Sequence, residues 1–298
     1  MANIIFNKNN ITNPNNGNNK LRYNFPVDAL FKSGDQIATS HINIFYSWFN
    51  ISAAHGNNFF QYKWWDMNGD LTVIVDVLIK DGYYSQNTLY EYIQSIMVSH
   101  GHYLVVVDGG DYVYFIDLVS NETYYSFEFR LSSVGEQIRG STASPWEPTE
   151  QYWKLPTTWK LPALLQTPEI IIPSNNNFGL LLGFTPQTIV PLNFTAAYNK
   201  TYSILNNFAP EMEPSSSFII TCNLVDNNLS FDSKVLTSFT IPNGTRFGDM
   251  INLDHQLIFS NIKPGQYTTI ELSILDQDYN NLRIIDPNIL IVLTIKHD

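Results

Sequence analysis

The chain has little cysteine, little charge and no long apolar run, and each shortage narrows what it can be. Its single cysteine, Cys222, sits in FIITCNLV, so no internal disulfide is available, and the alternating apolar setting reads as a buried strand position rather than a reactive thiol. Only 14% of the 298 residues are charged, and the 16 Lys and Arg are scattered against 27 Asp and Glu. The resulting net charge of -11 argues against direct contact with nucleic acid, which needs clustered cations to neutralise phosphates. No stretch reaches the ~18 apolar residues of a membrane span. The first twenty residues lack the apolar core of a signal peptide, so the expectation is a soluble protein made and assembled inside the cell. Local signatures of catalysis are missing as well: there is no G-x-S-x-G, no G-x-x-x-x-G-K-[ST], no G-x-G-x-x-G and no H-E-x-x-H. No catalytic, metal-binding or cofactor-binding residue is therefore assigned, and no cofactor is expected.

What is present suits packing. An apolar content of 44%, with 14% aromatic, can bury one large core or two smaller ones. With so few charges, the surface must be built from Asn, Ser, Thr, Gln and Tyr, which favours neutral contacts with other protein surfaces. Seven N-x-[ST] sequons follow from the abundance of Asn and carry no argument for glycosylation.

Along the chain, residues 1–20 are dominated by Asn and read as a flexible arm. From Ile37 to Lys80 the pattern is strands: HINIFYSWFNIS, FFQYKWW and LTVIVDVLIK, with Asn68-Gly69 as the stronger hairpin signal. One helix is clear. In SQNTLYEYIQSIMVSHG the residues Leu89, Tyr92, Ile93, Ile96 and Met97 share a face, Ser85 or Asn87 is placed to cap the start and Gly101 lies beyond the end. HYLVVVDG, DYVYFIDLV and YYSFEFRLSSV continue as strands. The passage SPWEPTEQYWKLPTTWKLPALLQTP has neither period, and its prolines predict an extended segment on a surface, with Trp146, Trp153 and Trp159 exposed for contact with another subunit or a ligand. FGLLLGF reads as one short helical turn. Five further strands follow, ending in TTIELSIL and NILIVLTIK, each with apolar residues alternating to one side.

The fold class predicted is all-β with one or two short helices: a single jelly-roll β-sandwich with an inserted β-rich domain. The expected division is an arm at 1–20, jelly roll at 21–80 and 205–298, and an inserted domain with one helix at 81–204.

Two stretches imitate metal sites. DQDYNN, Asp276 to Asn281, opens like a calcium loop, but it has Asn281 and Pro287 where such a loop needs Gly and Glu, and strands flank it. Asp and Asn favour turns because their side chains bond nearby backbone groups, so a polar turn between the last two strands is predicted. His100 and His102 form an H-x-H pair without the further ligands of a metal-dependent cupin, and a favourable place at the carboxyl end of the helix accounts for them.

Four segments in order carry a resemblance: IKDGYYSQNTLYEYIQ, FGLLLGF, SFIITCNLVD and GQYTTIELSILDQDYNNLRIIDPNILIVLTIK. Together they resemble the penton (minor capsid) proteins of virophages and Polinton-like viruses, in which a G-Y-Y-S segment precedes a helix, an LLGF turn follows, and the carboxyl end carries a strand with an I-E-L core, an acidic turn and a last strand. The resemblance implies a structural virion protein located in the capsid and lacking enzymatic activity. It also implies a homopentamer at the fivefold vertices of an icosahedral shell, whose other partner is a double-jelly-roll major capsid protein. A carbohydrate- or receptor-binding β-sandwich module is the alternative expectation.

Overall fold

The computed structural model describes residues 1–134, 153–154, 156–162, 166–190, 201–227, 232–254 and 256–297. The chain forms two compact units, the first from 1–49 with 215–298 and the second from 50–214. The first unit begins with strands β1 (Ala2–Asn7), β2 (Lys20–Phe31) and β3 (Gln36–Phe45). The second unit follows with β4 (Phe59–Trp65), β5 (Leu71–Leu78), helix α1 (Gln86–His100), β6 (Leu104–Val106), β7 (Tyr112–Val113), β8 (Ile116–Asn121) and β9 (Ser126–Ser132). It continues with β10 (Trp153–Lys154), β11 (Glu169–Ile172), the short helix α2 (Phe178–Leu182), β12 (Gln187–Ile189) and β13 (Thr201–Leu205). The chain then returns to the first unit with β14 (Ser217–Cys222), β15 (Val235–Thr240), β16 (Met250–Asp254), β17 (Ser260–Asn261), β18 (Gly265–Asp276) and β19 (Leu290–Lys296). Among the described residues no helix is long and apolar enough to cross a membrane.

In the first unit one sheet has the order β1-β19-β3-β16, with the short β17 also on β3, and the other has the order β15-β14-β18-β2. Lettering the eight long strands B to I in chain order turns these into B-I-D-G and C-H-E-F, the connectivity of a jelly roll, in which the chain keeps crossing between two sheets. Alternation supplies the core. Ile42 and Ile44 of β3, Ile270, Leu272 and Ile274 of β18, and Ile291, Leu293 and Ile295 of β19 are buried, as the period of two predicts. Ring pairs join strands of the two sheets, with Phe6 and Tyr23 at 6.1 Å between centroids.

The amino-terminal arm expected at 1–20 is a correction. Ala2–Asn7 pairs antiparallel with β19 from Ala2↔Ile295 to Asn7↔Leu290, and Phe6 is fully buried. The asparagines that suggested disorder instead tie the next loop down. Asn18 Nδ2 donates to the carbonyls of Ile284 and Ile285, and Asn19 Nδ2 donates to the carbonyl of Ile274 and to Asn281 Oδ1. Asn15 and Asn18 also take positive φ, at 62° and 47°, a conformation Asn tolerates through local hydrogen bonding. Strand β2 also went unread, because Pro26 interrupts it. It is the outer strand of its sheet, and its register against β18 shifts between Tyr267 and Thr269, so the missing N–H is accommodated at an irregular edge.

The division at 80/81 is corrected too: β4 and β5 belong to the second unit. β4 pairs with both β5 and β11 in a sheet of order β12-β11-β4-β5. Its inner residues Phe60, Tyr62 and Trp64 enter the core of that unit, where Phe60 stacks on Phe178 of α2 at 4.6 Å. Periodicity identifies a strand, but it carries no information about which sheet takes it.

Helix α1 starts as predicted. The Ser85 side chain accepts from Thr88 N, Leu89, Ile93 and Met97 are buried, and Gly101 closes the end at φ 72°, its N–H donating to the carbonyls of Met97 and Val98. FGLLLGF is α2 followed by Gly183 at φ 80°, where a Cβ would collide with the carbonyl of Phe208, so both conformation and space demand glycine.

Docking of β1 gives the first prediction. Phe6→Ala should cost ~3–5 kcal/mol in urea unfolding, the range for a buried aromatic, and Asn19→Ala ~1–3 kcal/mol for its lost buried hydrogen bonds. A flexible arm would give no change for either.

Candidate functional site

DQDYNN is a turn that uses its own carboxylate. Asp276, 5% exposed at the end of β18, accepts the backbone N–H groups of Asp278 and Asn280 on Oδ1, each at 2.9 Å. The Asp276 N–H donates to the carbonyl of Asn280 at 2.9 Å and Tyr279 takes the left-handed φ of 63°. Asn281 faces the amino-terminal loop through Asn19. The acids and amides therefore close a turn, and among the described residues no group of three or more His, Cys, Asp or Glu side chains could hold a metal.

His102 lies inside the second unit, 7% exposed, with Nδ1 sharing a 2.8 Å hydrogen bond with the Tyr62 hydroxyl and its ring stacked on Trp64 at 4.6 Å. Burial, and to a lesser degree the neighbouring His100, pushes its pKa down to about 3, so the imidazole is neutral at physiological pH. Burial also raises the Tyr62 phenol. His100 ends α1, with its ring 5.6 Å from that of His102. Cys222 is buried in β14, and burial pushes its thiol up to about 12, far from the thiolate a nucleophile needs.

The tryptophans expected to be exposed are a third correction. Trp153 and Trp159 are 2% and 1% exposed. Trp153 pairs through β10 with Val106 of β6, and Trp159 stacks on Trp65 at 5.4 Å while its Nε1 donates to the carbonyl of Gly101 at 2.8 Å. Prolines keep this passage out of regular secondary structure, but an irregular segment can still seal a core, and here it supplies a donor to the open end of α1. Trp146 lies outside the described residues.

Other side chains take the exposed role. β5 is an outer strand of eight residues, LTVIVDVL, and on its outward face Ile74 and Leu78 are 56% and 65% exposed. The neighbouring positions on this face carry polar pairs: Lys63 Nζ to Glu169 Oε2 at 2.8 Å, and Gln61 Nε2 to Asp76 Oδ1 at 2.7 Å. Among the described residues no further strand pairs with β5, and an unpaired strand edge can pair with another chain. In the first unit Val27 and Leu30 of the outer strand β2 are 81% and 65% exposed.

No protein-family model matches the chain, and no curated protein matches it. A solved structure does. The chain resembles the mavirus penton protein in fold. The match covers 99% of this chain and 97% of that one, with a TM-score of 0.45 and 11% identity.

Ile74 and Leu78 escaped the sequence reading because they sit in the same alternating run as the buried Val75 and Val77. The available signal was that β5 carries apolar residues on both faces, whereas a strand with one wet face does not.

Two measurements check these assignments. Asp276→Ala should cost ~1–2 kcal/mol, as for a lost capping acceptor, with Asp276→Asn costing less because it keeps an acceptor; equal costs would contradict the turn. For His102, the unfolded imidazole binds its proton near the ordinary ~6.5 while the folded one resists to about 3, so the unfolded state holds more protons between these values. Stability contributed by the neutral ring is complete above pH ~6.5 and is lost as pH falls. Between pH 7.5 and 5.5 the wild type should therefore lose about 1.4 kcal/mol more than His102→Gln, which retains a partner for Tyr62.

Proposed function

We propose that the chain is a structural virion protein, a minor capsid (penton) subunit whose homopentamers close the fivefold vertices of an icosahedral capsid. The observation that carries this reading is the B-I-D-G over C-H-E-F connectivity, interrupted between the third and fourth long strands by a separately packed unit. The segments that carry the family resemblance support it, since each includes a structural element: α1, α2, β14, or β18 and β19. The reading assigns no catalytic residue. Its partners are other copies of the chain and a double-jelly-roll major capsid protein.

A ring requires each subunit to present two different patches, one meeting the other on the next subunit. The outward face of β5 would supply one such patch in the second unit, and β2 another in the first, both strands being outermost in their sheets among the described residues. A surface with few charges suits these contacts, because little desolvation of ions opposes them.

Analytical ultracentrifugation of the purified chain should show a species near five times 34.1 kDa. Ile74→Lys with Leu78→Lys should shift it toward monomer without changing the far-ultraviolet circular dichroism spectrum. A strict monomer in every salt and pH condition would sink the vertex reading.

A further inference from the structure

The hairpin between β8 and β9 turns over at Glu122–Tyr125, where Tyr125 closes a short helical turn by donating its N–H to the carbonyl of Glu122. Tyr124 and Tyr125 are 69% and 73% exposed, and Tyr125 is held at φ 48°, a conformation uncommon for a bulky residue. Such strain persists where the surrounding structure imposes it, and it collects at ligand clamps and similar sites. Here the positive φ belongs to the residue that lines a pocket of about 210 Å³.

Tyr125 and Phe127 form aromatic walls of that pocket, Met212 and Pro210 add apolar surface, and Asn121 and Glu122 bring polar groups. The amide of Asn121 is engaged by Glu128, which fixes its position. Ser126 also lines the pocket; it is 9% exposed and its buried Oγ has no hydrogen-bond partner among the described residues.

The volume is below the ~300–1,000 Å³ typical of pockets for drug-sized ligands, and corresponds to one ring. The chemistry around it asks for a ligand that is apolar on a face and carries hydroxyls at its edge: C–H groups against the aromatic rings, and O–H groups for the Glu122 carboxylate and the Asn121 amide. A pyranose has both properties. A purely apolar side chain would offer nothing to the carboxylate or the amide.

We propose that the β8–β9 hairpin tip is a carbohydrate-binding site that takes a single neutral pyranose of a glycan against Tyr125. The site shares no residue with the patches assigned to assembly and stands whether or not the chain forms pentamers.

Saturation-transfer difference NMR on the full-length protein with the methyl glycosides of glucose, galactose, mannose and N-acetylglucosamine tests it. At least one should receive saturation at its C–H protons. Tyr125→Phe should keep that binding, while Tyr125→Asn, which removes the ring but tolerates positive φ, should weaken it roughly tenfold. Glu122→Gln should weaken it as well. Absence of transfer to every glycoside at millimolar concentration overturns the proposal, as does transfer that survives Tyr125→Asn unchanged. Loss of oligomer in Tyr125→Asn without any glycoside binding by the wild type would assign the tip to protein contact and would also overturn it.

Discussion

The roll is held shut by its own ends. β1 and β19 come from opposite termini of the first unit, yet they pair over the whole of Ala2–Asn7, so one sheet cannot be completed until the last strand is in place. Without β1 the strand β19 would be an open edge, the feature that natural sheets protect. The loop between β1 and β2 reinforces the closure. Asn18 and Asn19 donate into the carbonyls of Ile274, Ile284 and Ile285, on either side of the DQDYNN turn, and Asn281 of that turn accepts from Asn19. A buried amide left unpaired costs more than a made hydrogen bond contributes, so these contacts select one register for the termini as much as they stabilise it.

The second unit is organised around aromatic packing. Trp64 lies between the ring of His102 and those of Trp65 and Trp159, and the Tyr62 hydroxyl answers the one polar atom of His102 that faces it. The residues that looked most reactive in the sequence, a histidine pair and a cluster of tryptophans, are thus part of the packing. The large side chains that this unit exposes include apolar residues on β5 and tyrosines at the β8–β9 tip. The candidate chemistry moves from groups that titrate to groups that present surface.

Legibility followed locality. The start and stop of α1, the αL glycine after α2 and the alternation in β18 and β19 are written within a few residues, because capping, left-handed φ and the strand period act over that distance. β1 was hidden because only Ile4 and Phe6 carry its pattern amid asparagines whose partners lie more than 250 residues away. β2 was hidden by Pro26, which signals a break unless one knows that its strand is an edge. Trp153 and Trp159 were misplaced because proline excludes regular secondary structure, not burial.

By itself the sequence determined that this is an all-β protein with one substantial helix, few charges and a polar turn before its last strand, since composition, periodicity and turn chemistry are properties of neighbouring residues. Tertiary structure alone decided which strands share a sheet, where one unit stops and the next begins, and which aromatic rings face solvent. Those outcomes depend on the pairing of segments remote in sequence, and a strand's alternation is the same whichever partner it finds.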